Sequence, residues 1–266
     1  MFKTAKKLPY SMCGTAAVVV GLLGAAAGSA SADVLTPLDA AKLTSPFSYS
    51  GYSVAPNDTN VIISGSPGQN GTFGSGQIDL NISTGQFAGD ALATWCIDIF
   101  DDLATSGTYN IINLPPATDD GGNGGNGNPV LNTTTLNEIG VLVHLGDTLL
   151  ATAGHSDYIS SAIQLAIWTV EYPTSAFPNI AFMSTNSNVE SLVAGYVNTA
   201  ETSVFSGYLA EVVNSNTQGL VFETASPVNL ATPLPATWTM MLIGLAGFGF
   251  FSFPRTRKRS AGIAAA

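Results

Sequence analysis

Two short segments hold the side chains with the most distinctive chemistry: Thr94-Trp95-Cys96-Ile97-Asp98-Ile99-Phe100 and Ala162-Ile163-Gln164-Leu165-Ala166-Ile167-Trp168. Cys96 is one of two cysteines; the other, Cys13, precedes the apolar stretch Ala16–Ala27. A thiol reacts as its thiolate, yet no histidine or basic residue stands near Cys96 in sequence, so any activation falls to the fold. Asp98 lies two residues on and would share the strand face of Cys96. It could orient a proton transfer, or equally hydrogen-bond a turn. A lone cysteine is most often a small buried hydrophobe, and in an exported chain it also admits an intermolecular disulfide or a free thiol.

Other candidate groups are sparse. His144 and His155 are the only histidines, and the apolar neighbours of His144 in a helical stretch read as those of a structural residue. A serine hydrolase could recruit His155 with distant Ser and Asp residues, but no spacing supports it. The chain has no HExxH, paired CxxC, phosphate loop, dinucleotide fingerprint or GxSxG elbow. Turnover catalysis is therefore not expected, and no cofactor or metal is assigned. Asp119 and Asp120 could offer oxygens to calcium, but the regularly spaced Asp of glycine-rich calcium repeats is missing, which favours a plain linker. Tyr52, Phe73, Trp95 and Trp168 could stack on sugars, although the two tryptophans flank the Cys and Gln segments and read as core.

The paired segments resemble the motifs of the bacterial thioester domain family, in which a hydrophobic-Cys-hydrophobic strand meets an Ala/Thr-Gln-x-Ala-Ile-Trp helix. The resemblance spans roughly Phe47 to Glu223, with the two short motifs as its specific part. It implies that the Cys96 sulfur attacks the Gln164 side-chain carbonyl, expels ammonia and leaves an internal thioester, with Asp98 and Trp168 in support. A thioester is readily attacked by an amine, so the domain would attach covalently to an amine- or hydroxyl-bearing partner.

These residues need a strand and a helix to meet, and the patterning supplies both. Phe47 to Val54, Val61 to Ser64, Gly76 to Ile82, Ala91 to Phe100 and Thr108 to Leu114 are short, rich in β-branched and aromatic residues, and separated by turn-forming clusters. In the third, Ile78, Leu80 and Ile82 alternate and should face inward. The period then changes. Leu136, Ile139, Val143 and Leu150 predict a helix that Thr133, Thr134 or Thr135 would cap. Ile159, Ile163, Ala166, Ile167 and Val170 predict a second helix, about Asp157 to Glu171, that ends before Pro173. A third helix from about Val189 to Phe205 and a returning strand from Leu220 to Glu223 complete the pattern. The expected fold class is α+β, mainly antiparallel β in a sandwich or barrel, with a helical subdomain and a single hydrophobic C-terminal helix.

The two ends read as addresses. Lys3, Lys6 and Lys7, the apolar stretch, and Ala30-Ser31-Ala32 form a signal peptide over residues 1–32, with cleavage between Ala32 and Asp33. Near the other end Pro233-Leu234-Pro235-Ala236-Thr237-Trp238 precedes an apolar run through Phe253 and the basic cluster Arg255, Arg257, Lys258 and Arg259. Thr237 to Phe253 is about long enough to span a bilayer as a helix, with the basic cluster held inside. This tail resembles the PEP-CTERM sorting signal of Gram-negative bacteria, which implies processing by the membrane enzyme exosortase. Leu234 replaces the more usual Glu, as in Pro-Leu-Pro-Ala variants. The same tail type carries the family label of an ice-binding protein C-terminal domain, a label that implies no ice binding here. Leu234-Pro235-Ala236-Thr237 also fits the first four positions of a Gram-positive sortase signal, but Trp238 stands where that enzyme needs Gly. An unprocessed single-pass anchor is the remaining alternative.

Charge is unevenly placed. Three of eight basic residues lie in the leader and four in the tail, which leaves Lys42 against eighteen carboxylates between Asp33 and Glu223, a balance of −17. Such a domain repels nucleic acid and anionic lipid, and it offers almost no internal amine to consume a thioester. The expected organisation is a leader (1–32), an N-terminal segment (33–46), a thioester-like ectodomain (47–224) with a flexible loop at 118–129, a linker (225–232), the sorting signal (233–259) and a short end (260–266). The expected partners are signal peptidase, exosortase, the inner membrane transiently, and a surface polymer or protein. The chain is thus expected to be a secreted or cell-surface adhesion protein. A non-reactive component of the exopolysaccharide or biofilm matrix is the alternative.

Overall fold

Short β-branched runs can bury only one face each, so they must close on one another or be covered. The computed structural model describes residues 33–55, 60–65, 71–114, 129, 131–153, 157–214 and 217–228. In chain order these form α1 (Pro37–Ala40), β1 (Phe47–Ala55), β2 (Asn60–Ser64), β3 (Gly71–Gly74), β4 (Gln77–Ile82), β5 (Ala91–Cys96), β6 (Gly107–Leu114), α2 (Thr133–Ala153), α3 (Asp157–Glu171), β7 (Ala181–Ser184), α4 (Ser187–Thr202), β8 (Tyr208–Asn214) and β9 (Thr217–Thr224). Six strands close an antiparallel barrel in the order β1-β4-β5-β9-β8-β6, and β3-β2-β7 form a separate three-stranded sheet. The fold is α+β with mainly antiparallel strands, and of the two expected β architectures the barrel is the one present.

The barrel core takes alternate residues from every strand. Phe47 and Tyr49, Ile78, Leu80 and Ile82, Leu92 and Cys96, Tyr109 and Ile111, Ala210 and Val212, and Leu220 and Phe222 belong to one buried cluster. Their neighbours of opposite parity, Trp95, Leu209 and Val221, join a second cluster with Leu136, Ile139, Val143, Ile163 and Ile167 from α2 and α3. Period two thus separates a barrel interior from a helix-covered face. The inward reading of Ile78, Leu80 and Ile82 holds, as do the apolar stripes of α2 and α3.

The structure departs from the sequence reading in four places. First, β5 stops at Cys96 rather than Phe100, because Asp98 Oδ1 accepts from the backbone N–H groups of Phe100 (2.8 Å) and Asp101 (3.2 Å) and turns the chain. Second, α2 is capped by Asn132, whose Oδ1 accepts from Thr134 and Thr135, and not by a threonine. Third, α3 is buried on both sides, since Ala162, Leu165 and Trp168 join the first cluster while Ile163, Ala166 and Ile167 join the second. Fourth, β3, β7 and β8 are strands without a clear sequence pattern: β3 is half glycine, β7 has four residues, and Glu211 interrupts the apolar run of β8. Among the described residues no helix is long and apolar enough to cross a membrane. The leader, the 118–128 stretch with Asp119 and Asp120, His155, and the sorting signal from Pro233 through Arg259 lie outside the described residues.

Candidate functional site

Cys96 is the last residue of β5, where strand pairing runs out on one side. β4 pairs with β5 only as far as Ile78 opposite Thr94, while β9 continues with Val221 opposite Trp95 and Leu220 opposite Cys96. The next residue, Ile97, donates its N–H to Gly219 O. Backbone groups alternate in direction along an antiparallel strand, so the N–H and C=O of Cys96 point away from β9 into the space that β4 has vacated.

Gln164 of α3 fills that space. Its Oε1 accepts from the Cys96 N–H at 3.0 Å, and its Nε2 donates to the Cys96 carbonyl at 2.8 Å. The carboxamide thus stands in for a strand neighbour and leaves neither backbone group of Cys96 unpaired. Two further bonds tie α3 to the start of β4 and the residues before it: Gln77 N–H donates to Ser160 Oγ at 2.8 Å and Ser161 Oγ donates to Ser75 O at 2.9 Å. The predicted pair, 68 residues apart, is brought into direct contact.

The Cys96 thiol is buried and donates to Asp98 O at 3.1 Å. Burial pushes its pKa far above the ordinary thiol value, further raised by the charges of Glu171 and Asp98 and only partly offset by the Asp98 carbonyl and the Trp168 indole. The Trp168 N–H makes no well-formed hydrogen bond, so its help is limited. Cys96 therefore rests as a neutral thiol. Asp98 does not share its strand face, since the strand has ended. Its carboxylate holds the turn and its carbonyl accepts from Gln218 Nε2 at 2.8 Å.

Cys96, Gln164 and Trp168 line a cavity of about 330 Å³ together with Tyr52, Phe73, Leu103, Asp101, Asp102 and Gln218. Tyr52 and Phe73 thus sit near the site. Trp95 does not line the cavity: it is fully buried on the helix-covered face. His144 is an exposed residue of α2 that holds a structural partner, its Nδ1 lying 2.9 Å from Glu223 Oε2. No group of three or more His, Cys, Asp or Glu side chains among the described residues could hold a metal ion.

Three acids near this region went unnoticed in the sequence. Glu171 and Glu211 are buried, and one oxygen of the first and both of the second have no hydrogen-bond partner. Burial, then the neighbouring Asp98 carboxylate, pushes Glu211 up to about 8, and Glu171 is raised well above the usual range by burial, Asp98 and Glu211. The third is Asp147 of α2, raised to about 7 chiefly by burial. A signal for Glu171 was present: Gln164, Trp168 and Glu171 stand at i, i+4 and i+7, one stripe of a helix.

No protein-family model matches the chain, and no curated protein matches it. Among solved structures, the N-terminal domain of the Streptococcus pyogenes pilus tip adhesin Cpa aligns with 10% identity and a TM-score of 0.38, over 67% of this chain and 100% of that one. At that score the likeness is loose and decides nothing about this chain.

Proposed function

We propose that this is an exported surface protein whose barrel domain forms an internal thioester between Cys96 and Gln164 and uses it to attach covalently to a neighbouring polymer or protein. The observation that carries the reading is the pair of hydrogen bonds holding the Gln164 carboxamide on Cys96 at the wall of a cavity. In the reaction the sulfur adds to the Gln164 carboxamide carbon, the C–N bond breaks, and the thiol hydrogen leaves with the nitrogen as ammonia. The N–H of Cys96 already bonds the oxygen on which negative charge would develop, as an oxyanion donor must. An amine or hydroxyl arriving through the cavity would then take the acyl group and restore the thiol.

Intact-mass measurement of the purified protein tests this. The thioester lowers the mass by one ammonia, about 17 Da, and Cys96→Ala abolishes that loss, its mass matching the value calculated from its own sequence. Export and sorting belong to the same proposal, supported by the sequence patterns at 1–32 and 233–259: signal peptidase would expose Asp33 and exosortase would act near Pro235. N-terminal sequencing of the secreted form that begins elsewhere than Asp33 would refute the first cut.

A second reading is a non-reactive matrix component. It is favoured by the fact that the oxygen and the nitrogen of the Gln164 carboxamide are both hydrogen-bonded and the thiol is neutral and buried, an arrangement stable without reaction. An unmodified mass, with Cys96 alkylated only after unfolding, would decide for it.

A further inference from the structure

Trp95 and Cys96 are adjacent, so whatever fixes the indole on one face of β5 also fixes the sulfur on the other. The indole is seated on α2 by two neighbouring residues. A Cβ on Gly146 would come within 2.5 Å of the Trp95 ring, so only glycine lets the ring lie against the helix. Asp147 Oδ1 then accepts from Trp95 Nε1 at 3.0 Å. The same oxygen accepts from Gln77 Nε2 at 2.7 Å, at the start of β4. One carboxylate oxygen thus clamps the strand that ends in Cys96 and the strand whose early end leaves room for Gln164.

We propose that Asp147 is the positioning residue of the Cys96–Gln164 pair, holding β5 and β4 in the register that sets sulfur against carboxamide. This rests on the thioester reading. The end of β5 pairs with β9 at two positions and loses β4 beyond Thr94, so the side-chain clamp ties it to β4 where the backbone ladder has stopped. Two donors on one oxygen are best served by a charged acceptor. Protonation of Asp147 weakens the clamp, and burial together with Glu223 brings that protonation up to about pH 7, against the opposing effects of the two donors and of His144 on its own helix. The pair is therefore best aligned above neutrality and loosens below it.

The test follows reaction of the intact protein with methylamine by mass, over about pH 5.5 to 8.5. In the wild type, the rate should climb through neutrality more steeply than deprotonation of methylamine alone requires. Asp147→Asn keeps the shape and a neutral acceptor; it should lose the extra inflection and react about fivefold more slowly at the upper end. Trp95→Phe keeps the ring and removes one donor; it should also flatten the profile, and it serves if the first variant folds poorly. A wild type carrying the mass loss, with both variants reacting at the wild-type rate and pH profile, overturns the role of Asp147 and leaves the thioester standing. A wild type with no mass loss overturns both.

Discussion

A buried thiol beside buried carboxyls has little tendency to ionise, and this governs how Cys96 behaves. With Gln164 replaced by Ala no thioester can form, and the free thiol should resist alkylation in the folded state while reacting at once in denaturant. Rapid labelling of the folded variant would contradict the burial described above. Losing the carboxamide also leaves the Cys96 N–H and C=O without partners, at about 1–3 kcal/mol for each buried group, so Gln164→Ala should lower the unfolding free energy clearly in a denaturant titration. Glu211 gives the opposite case. Its carboxyl has no hydrogen-bond partner in a buried setting and is pushed up to about 8, so Glu211→Gln should stabilise the domain by about 1–2 kcal/mol near pH 8.5 and change little near pH 4. Equal effects at both pH values would show that charge is not what matters there.

The central element is α3. An amphipathic helix needs one apolar face, but α3 packs on the barrel side and on the α2 side at once, which is why Ser160, Ser161 and Gln164 are buried with it. Those polar side chains bond Gln77 at the start of β4, Ser75 ahead of it, and Cys96, so the helix is located by hydrogen bonds as well as by packing. α2 depends on Gly146 for its own close contact with Trp95. Gly146→Val should push Trp95 off its seat and cost about 1–3 kcal/mol in thermal or chemical unfolding, whereas a change at Gly195, where a Cβ meets nothing within 4 Å, should raise helix stability slightly. If the two behave alike, the Trp95 seat is not a tight one.

At the scale of the molecule, buried acids set the response to pH. Asp147, Glu171 and Glu211 all have folded pKa values raised above the ordinary carboxylate range near 4. A raised value means that the folded state holds protons the unfolded state has released, so the stabilisation is full below about pH 4 and is lost as pH rises through 7 to 8. The melting temperature should therefore be several degrees higher near pH 5 than near pH 8.5, and a flat or reversed profile would contradict these environments. The exposed Asp39–Lys42 pair works in the other direction, since Asp39 is lowered by Lys42 and Thr36, but exposed pairs contribute little. Several features were legible in the sequence because they are local. Alternation placed Ile78, Leu80 and Ile82 inward, the 3.6-residue period placed α2 and α3, and composition placed nearly all positive charge at the two ends. The Cys96 and Gln164 segments stood out too, as the residue types with the most distinctive chemistry. The choice of a barrel over a sandwich stayed open, because β8 contains Glu211 and becomes apolar in context only when its carboxyl is enclosed. The end of β5 at Cys96 was not legible, because it depends on a side chain two residues later turning the chain. The sequence singled out two side chains, Cys96 and Gln164, that the structure brings together. Only the tertiary structure decided that the carboxamide of one lies on the backbone of the other, because a contact across 68 residues is made by packing α3 against the barrel and not by any local preference.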